Sequence, residues 1–304
     1  MLNRSRQLRA LLFFGSVLVL ASGLYFFTIG DPQQTKEFSL ANMVPHHSFD
    51  PKWNVHPISE KEKSHIYSIL NQKFYYIGYG HQIYVFFSED NKYVLKIFKQ
   101  HRYTVPRWIR YLVPSFLSYR TQKMKPKENA LDRDFTSYQI AFDQLQEETA
   151  LQFVHLNSQD DFHHNITLID KSHNECRLDL HDFEFVLQDM AVLVCPTIDN
   201  YMAQGSTAAA KDAIDSLLNF LYVRCKKGID DSNPHLESNF AFLDNKVVQI
   251  DVGRFSLKQP EKFPKIKDEF KDYLHKFPEL EQYFDTQYRA YSEKYAQHLT
   301  AQLD

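Results

Sequence analysis

Residues 74–99 constrain what this chain can fold into more than any other part of the sequence. Apolar runs on either side of Ser88-Glu89-Asp90-Asn91 predict two β-strands joined by a tight turn. The first strand contains Gly78-Tyr79-Gly80, and the second places Lys96 inside the apolar run 93–98. Because an unpaired charge is costly to bury, a lysine in such a strand indicates an anionic partner.

The composition of the chain narrows the class of protein. The chain has 304 residues, enough for one large or two small domains, and it is 43% hydrophobic and 15% aromatic. Such a chain is globular rather than disordered. The formal net charge of −3 does not favour a nucleic-acid partner. Three cysteines without CxxC spacing predict neither a zinc site nor a disulfide framework.

The N-terminal region contains twenty consecutive uncharged positions, residues 10–29. This length matches a helix that crosses a bilayer, so residues 1–30 are predicted to be a transmembrane anchor. A cleaved signal peptide that ends near Ala21-Ser22-Gly23 is the alternative, and the continuation of the apolar run to Ile29 favours the anchor. Residues 31–60 contain four prolines and are predicted to be a linker.

The charge in front of the apolar run predicts its orientation in a membrane. Arg4, Arg6 and Arg9 favour a cytoplasmic N-terminus, and hence a single-pass protein whose C-terminal domain is extracytoplasmic or lumenal. In a glycosylating compartment, the sequon Asn165-Ile166-Thr167 would then be usable.

The rest of the chain shows helix and strand patterns in turn. Apolar residues at three- and four-residue spacing predict helices, and short apolar runs between turn residues predict strands. The predicted helices cover residues 60–71, 127–148, 206–226, 264–276 and 279–302, and the predicted strands cover residues 166–170, 183–188, 240–243 and 247–250. Gly228 follows the third of these helices as a C-terminal cap.

A basic and aromatic stretch covers residues 101–127. Two interpretations stay open for it. It binds an anionic lipid or substrate, or it is a solvated loop whose aromatic side chains pack on the domain.

The order of these parts resembles the protein-kinase-like fold over roughly residues 70–300. The letters GYGHQIYV at residues 78–85 resemble the family's glycine loop G-x-G-x-x-G-x-V, with Ile83 in place of the third glycine. The letters VLK at residues 94–96 are similar to the family's V-A-I-K segment. The resemblance implies that the nucleotide is bound by Gly78, Gly80, Val85 and Lys96. It also implies an acidic partner for Lys96 on the helix 127–148, with Asp134 as the first choice and Glu128 as the alternative.

The segment Asp231-Ser232-Asn233-Pro234 resembles the D-x-x-P of the family's catalytic loop. The resemblance implies a catalytic role for Asp231, with Asp230 as a near-equal candidate. The family's metal-binding asparagine would fall at Leu236, which cannot bind a metal, so Asn239 is the implied ligand and the loop is three residues longer. Asp251-Val252-Gly253 looks like the D-F-G magnesium site.

The resemblance therefore implies an α+β, two-lobed fold, with an N-lobe over residues 61–190 and a mostly helical C-lobe over residues 191–304. No A-P-E segment follows Asp251, which implies a reduced C-lobe. The implied cofactors are ATP and Mg²⁺, and the implied activity transfers the γ-phosphate of ATP to a hydroxyl of a protein, sugar or lipid. The alternative is a catalytically inactive pseudokinase that acts as a binding or scaffold module, which the altered catalytic loop and the missing third glycine favour.

Overall fold

The computed structural model describes residues 38–302, except residues 46, 48, 56–57, 158–161 and 265. The predicted anchor, including the apolar run 10–29, lies outside these residues. Within the described ranges, no helix combines the length and the apolar character that crossing a membrane requires.

The fold is α+β, as predicted, and a seven-stranded mixed sheet is its largest element. The strands of this sheet are β1 (Lys73–Tyr79), β2 (Ile83–Ser88), β3 (Tyr93–Phe98), β4 (Leu151–His155), β5 (Asn165–Ile169), β6 (Glu175–Asp179) and β7 (Phe185–Asp189). Their order in the sheet is β4-β7-β3-β2-β1-β5-β6. Only the β1–β5 pair within this sheet is parallel. In the sequence, β5 and β6 lie between β4 and β7, which are neighbours in the sheet. The β5–β6 hairpin itself pairs with β1 at the opposite edge of the sheet.

Both predicted turns are confirmed, but the apolar run before Ser88 forms two strands, β1 and β2, where one was predicted, because the chain turns back at Gly80 and the two halves of the run pair with each other. Between β2 and β3, Ser88 Oγ donates to Asp90 Oδ1 at 2.6 Å and accepts from the Tyr93 amide at 2.9 Å, while Asn91 takes a left-handed conformation with φ of 56°. A second hairpin joins β10 (Phe240–Leu243) to β11 (Lys246–Gln249), and the short strand β8 (Val192–Leu193) pairs with β10. Its turn residues Asp244 and Asn245 both have positive φ, as the common two-residue hairpin turn requires.

The helices of the described chain are α1 (Leu40–Met43), α2 (Glu60–Leu70), α3 (Arg107–Leu112), α4 (Ser118–Gln144), α5 (Gln146–Thr149), α6 (Val194–Ala203), α7 (Thr207–Lys226), α8 (Leu236–Asn239), α9 (Lys267–Leu274) and α10 (Pro278–Thr300). Ser59 and Glu62 form a capping box that starts α2. Gly228, with φ of 72°, follows α7 as the predicted cap.

Helix α4 begins at Ser118, earlier than predicted, and continues through Pro126. A proline inside a helix removes the hydrogen bond to the carbonyl four residues before it, which here belongs to Gln122. Gln122 and Pro126 are both exposed, so water can satisfy that carbonyl. The interruption is therefore tolerated, and the basic stretch 101–127 is largely helical.

The described chain contains two main hydrophobic cores. The first lies around the large sheet and contains Phe74, Phe86 and Phe135, together with Val252 and Phe255 from much later in the sequence. The second lies among α6, α7, α9 and α10 and includes the buried residues Leu217, Leu221, Phe270, Leu280 and Phe284. Between these cores run the short strand β9 (Ile229–Asp231), helix α8 and the β10–β11 hairpin, with β9 paired to β12 (Phe255–Leu257).

Part of the predicted linker 31–60 belongs to the first core. Met43 and Trp53 are buried, and the Trp53 ring lies 5.1 Å from the Phe135 ring in an edge-to-face contact. Asn42 donates a hydrogen bond to the hydroxyl of Tyr84 at 3.0 Å. These contacts hold the segment directly against the sheet.

Candidate active site

A cavity of about 260 Å³ lies against the loop that joins β1 to β2. Four predicted site residues line it: Gly80 in that loop, Asp231 at the end of β9, Asn239 at the end of α8, and Asp251 shortly after β11. The other lining residues are His81, Gln82, Ile83, Asn233, Gly253 and Arg254. The fold thus brings the predicted glycine loop, catalytic loop and metal site to one place.

Lys96 lies on β3 next to this cavity, and its side chain is buried, with 7% exposed. The ammonium group donates to Gln188 Oε1 at 2.6 Å and to the carbonyl of Ile250, which precedes Asp251. Burial lowers the pKa of Lys96 to about 8, and the nearby Asp251 carboxylate opposes this shift. Val85 is the cross-strand partner of Lys96, so both side chains lie on the same face of the sheet.

Asp134 contacts residues other than its predicted partner Lys96. Its buried carboxylate accepts hydrogen bonds from the Tyr103 hydroxyl and from Arg254 Nη1, both at 3.0 Å, and it also pairs with Arg133. Burial raises the pKa of Asp134, and the neighbouring Arg133 opposes the shift. The carboxylate therefore ties α4 to the segment that follows Asp251. The alternative acid, Glu128, lines a different cavity.

The structure separates the two catalytic candidates, Asp230 and Asp231. Successive side chains of a strand point to opposite faces, and only Asp231 lines the cavity. Asp231 is buried and accepts hydrogen bonds from Gln249 Nε2 at 2.6 Å, from the Asn233 amide at 3.0 Å and from Arg224 Nη1 at 3.3 Å. Its carboxylate is consequently fixed in one orientation.

Arg224 and Gln249 are site residues that the sequence analysis did not identify. Arg224 is almost fully buried on α7, and its guanidinium also donates to Gln249 Oε1 at 2.5 Å. A charged residue on the apolar face of a helix was the available signal, because Arg224 follows Leu217 and Leu221 at helical spacing. That signal did not reveal which carboxylate the arginine would meet.

Helix α8 accounts for the three extra residues of the catalytic loop. The first residue of the helix, Leu236, is fully buried in the second core, and its amide donates to Glu269 Oε1 at 2.9 Å. One helical turn later, Asn239 lines the cavity, and its Nδ2 donates to the Asn233 carbonyl at 3.1 Å. The predicted three-residue extension therefore brings an asparagine to the cavity.

The segment after β11 is held from two sides. Ser137 on α4 donates through its hydroxyl to the Val252 carbonyl and accepts from the Phe255 amide at 2.6 Å. Arg254 reaches Asp134 on the same helix. Asp251 itself remains exposed, and its Oδ1 accepts from the Gly253 amide at 3.3 Å. The backbone around Asp251 is anchored, whereas its carboxylate stays accessible.

The donor set of the cavity suits a hard cation. Carboxylate and amide oxygens are the protein ligands that Mg²⁺ takes, usually one or two carboxylates together with water and phosphate oxygens. Asp251 and Asn239 supply one of each at this cavity. No cluster of three or more His, Cys, Asp or Glu residues suited to a metal occurs in the part of the chain that the structure describes.

The β1–β2 loop is folded closely onto the cavity. Gly80 donates to the Ile83 carbonyl at 3.0 Å and accepts from Lys99 Nζ at 2.9 Å. The Gln82 side chain lies so close to Gly253 that a Cβ at Gly253 would sit 2.6 Å from Gln82 Oε1. Gly78, by contrast, has open space around it and follows an irregularity in the β1–β2 pairing. A side chain at position 253 would therefore displace the flexible end of Gln82.

Comparison with known proteins does not assign the chain to a family. No protein-family model and no curated protein matches the chain. Among solved structures, a medium-resolution structure of the bifunctional kinase-methyltransferase WbdD is 14% identical, with a TM-score of 0.29, over 64% of this chain and 33% of that chain. A high-resolution WbdD structure is 15% identical, with a TM-score of 0.30, over 64% of this chain and 35% of that chain. The chain spans about a third of the length of these proteins, and likeness at this level carries no functional conclusion.

Proposed function

We propose that this chain is a kinase-like phosphotransferase of two lobes that binds ATP with Mg²⁺ and moves the γ-phosphate to a hydroxyl of a protein, sugar or lipid. One observation carries the proposal. A single cavity under a glycine-containing loop is lined by Asp231, Asn239 and Asp251, with the buried cation of Lys96 beside it. These groups match what phosphoryl transfer needs: a cation for the phosphates, oxygen ligands for Mg²⁺ and a carboxylate for the attacking hydroxyl.

Each residue has a role that follows from its contacts. Asn239 and Asp251 would hold Mg²⁺, which would neutralise charge on the phosphates when bound. Asp231 orients the attacking hydroxyl and takes its proton, and its hydrogen bonds to Gln249 and Arg224 fix the carboxylate for that task. The segment 251–255 keeps its position through α4, so the metal ligand is pre-oriented.

Lys96 supplies the cation for the nucleotide phosphates. Its present partners, Gln188 Oε1 and the Ile250 carbonyl, are neutral oxygens. Phosphate oxygens are charged acceptors and make stronger hydrogen bonds to an ammonium group than neutral oxygens do. Nucleotide binding would therefore draw Lys96 away from these oxygens and restore its full charge.

The nucleotide needs more room than the cavity now offers. Ligand pockets usually measure about 300–1,000 Å³, whereas this one measures about 260 Å³. Gln82 occupies part of the space, since it lies directly against Gly253. The proposal therefore requires the loop with Gly78 and Gly80 to lift, and it assigns Gln82 as the contact that keeps the loop down.

A second function, a catalytically inactive pseudokinase that serves as a binding module, is favoured by a different observation. Asp134 pairs with Arg254 and Arg133, so it is not the acidic partner of Lys96. The Lys–Glu pair of protein kinases must be in place for catalysis. A chain that keeps this arrangement with nucleotide bound would bind ATP without transferring phosphate.

Nucleotide binding and turnover of the full-length protein test both functions. We expect a fluorescent ATP analogue to bind in the presence of Mg²⁺, and radiolabelled ATP to release its γ-phosphate to water or to an added hydroxyl compound. Asp231→Asn should abolish turnover while binding persists. Asp230→Asn is the matched control, because it makes the same chemical change on the other face of β9 and should leave turnover intact.

The outcomes separate the functions. Binding without turnover in the wild-type protein identifies the pseudokinase. Absence of Mg²⁺-dependent binding overturns both functions. Equal turnover in Asp231→Asn and Asp230→Asn shows that Asp231 does not take the proton.

We also propose that residues 10–29 anchor the protein in a membrane as a single pass, with the rest outside the cytoplasm. Arg4, Arg6 and Arg9 and the length of the apolar run support this orientation. Protease added to intact cells should then digest the domain without permeabilisation. In a glycosylating host, the exposed Asn165 should carry a glycan, which Asn165→Gln would remove. Full protection from the protease would reverse the orientation.

A further inference from the structure

The surface formed by α3, the turn after it and the first half of α4 is unusually apolar for an exposed surface. Its large side chains are exposed, and Phe116 is the extreme case at 85%. The others are Tyr111, Leu112, Leu117 and Tyr119. Contiguous exposed apolar groups on a folded protein mark a place where it contacts a partner or a membrane. We call residues 108–127 the basic-aromatic surface.

The same surface is strongly basic. Residues 108–127 contain five Lys and Arg and no Asp or Glu. Two of these cations have neutral acceptors: Arg120 donates to the Val113 carbonyl at 3.2 Å, and Lys127 donates to the Arg102 carbonyl at 2.8 Å. The surface thus concentrates positive charge in a chain whose overall net charge is −3.

A cavity of about 380 Å³ is lined in part by residues of this surface. Three cationic side chains line it, Arg110, Arg120 and Lys127, against one carboxylate, Glu128. Its size and charge suit a phosphate-bearing head group. The pKa of Lys127 is lowered by burial and by Arg102, which is the environment an anion would relieve.

From these observations we infer that the basic-aromatic surface docks on an anionic lipid bilayer, with a head-group phosphate at the cavity and Leu112 and Phe116 among the acyl chains. Anionic lipids attract clustered Lys and Arg. Interfacial segments place Trp, Phe and Leu on the side that enters the membrane. An acidic protein would match the charge but would leave Phe116 and Leu112 without an apolar environment. The inference does not depend on the proposed phosphotransferase activity.

Trp108 provides the readout for a test on the full-length protein. The chain has two tryptophans, and Trp53 is buried in the first core, so Trp53→Phe leaves Trp108 as the only indole. Trp108 belongs to the surface, where its ring stacks on Tyr119 at 6.5 Å. The Trp53→Phe protein is placed in lipid nanodiscs whose acyl chains carry bromine, which quenches an indole in the bilayer. The apolar run 10–29 is present in every sample, so its own insertion does not distinguish them.

We expect Trp108 to be quenched in discs that contain phosphatidylserine and to be largely unquenched in discs of phosphatidylcholine alone. High salt should reduce the quenching, because it screens charges at the membrane surface. Replacing Lys123 and Lys125 by Gln should weaken the docked state roughly 25-fold, at about fivefold for each charge lost near an anionic surface.

Leu112→Asp should remove most of the quenching. The matched control is Leu257→Asp, because Leu257 is equally exposed (63% against 61%) and lies outside the surface. Equal quenching in the two kinds of disc would overturn the inference, as would equal effects of Leu112→Asp and Leu257→Asp. Loss of quenching in Leu112→Asp and in the double lysine variant, with Leu257→Asp unchanged, would establish it.

Discussion

Replacing the buried lysine of the cleft by methionine, Lys96→Met, should remove a pH-dependent contribution to the stability of the protein while it abolishes ATP binding. The pKa of Lys96 is lowered from its ordinary value of 10.5 to about 8 by burial. At 1.36 kcal/mol per pH unit, this difference corresponds to about 3 kcal/mol of cost for keeping the buried amine charged at pH 7. Lys96 is only 7% exposed, so solvent does little to reduce that cost.

Methionine removes the charge at similar volume, but it leaves Gln188 Oε1 and the Ile250 carbonyl without their donor. Each acceptor that is left without a donor costs about 1–3 kcal/mol. The two costs together, about 2–6 kcal/mol, offset most or all of the ~3 kcal/mol gained by removing the buried charge, so the variant should be at most about 1 kcal/mol more stable than the wild type at pH 7.

The difference in stability between the variant and the wild type should depend on pH in a defined direction. The folded-state pKa of Lys96 lies below its unfolded value, so between about pH 8 and 10.5 the folded protein holds fewer protons than the unfolded chain. The free energy of unfolding therefore rises with pH through this window in the wild type. Lys96→Met lacks this contribution, so its free energy of unfolding should fall by about 3 kcal/mol relative to the wild type between pH 7 and pH 10.5.

Urea unfolding of the full-length wild type and variant between pH 7 and 10.5 measures the difference between their free energies of unfolding. Groups that titrate in the same way in both proteins do not contribute to this difference. Lys92→Met, on an exposed residue of the same hairpin, should match the wild type at every pH. A Lys96→Met protein whose stability differs from that of the wild type by a constant amount across the range would refute the reasoning. So would unchanged ATP binding in that variant, which would remove Lys96 from the site.

Three further substitutions probe the same cleft. Asp251→Asn should remove the Mg²⁺ dependence of nucleotide binding, measured by titration with and without Mg²⁺, because an amide is a poorer ligand for a hard cation; unchanged dependence would exclude the site. Gln82→Ala should raise nucleotide affinity, measured by fluorescence titration, since it frees the loop from Gly253, and a lower affinity would mean that Gln82 contacts the nucleotide. Arg224→Met should destabilise the protein by about 3 kcal/mol in urea unfolding, because it leaves the buried Asp231 charge without its cation. Adding Asp231→Asn to Arg224→Met should recover part of that loss, and no recovery would show that charge is not the cause.

Local patterns in the sequence were sufficient to predict the turns of two hairpins. Ser88, Asp90 and Asn91 close the β2–β3 turn through their own side chains and backbone, and Asp244 with Asn245 sets the β10–β11 turn. The α+β class was implied by the family resemblance, and the structure has it. The start of α4 was not, because Pro126 normally ends a helix and only its exposed position makes it tolerable.

Contacts between distant parts of the chain could not be predicted from the sequence. Asp134 was predicted to pair with Lys96. Which cation it contacts depends on how α4 packs, and in the structure it forms an ion pair with Arg254. The choice between Asp230 and Asp231 needed the direction of each side chain on β9, which a three-residue strand does not reveal by periodicity. The burial of Arg224 against Asp231 likewise depends on tertiary packing.

The position of the β5–β6 hairpin determines how one edge of the large sheet can interact with other molecules. By pairing with β1, the hairpin makes β6 the outermost strand on that side. This strand carries Glu175, Arg177 and Asp179 at alternate positions, so both signs of charge line one of its faces. Charged edge strands resist the addition of another strand from a second molecule. Growth of the sheet into a fibre, or its extension by a neighbour's backbone, is therefore opposed at this border, and a partner that contacts β6 must do so through side chains.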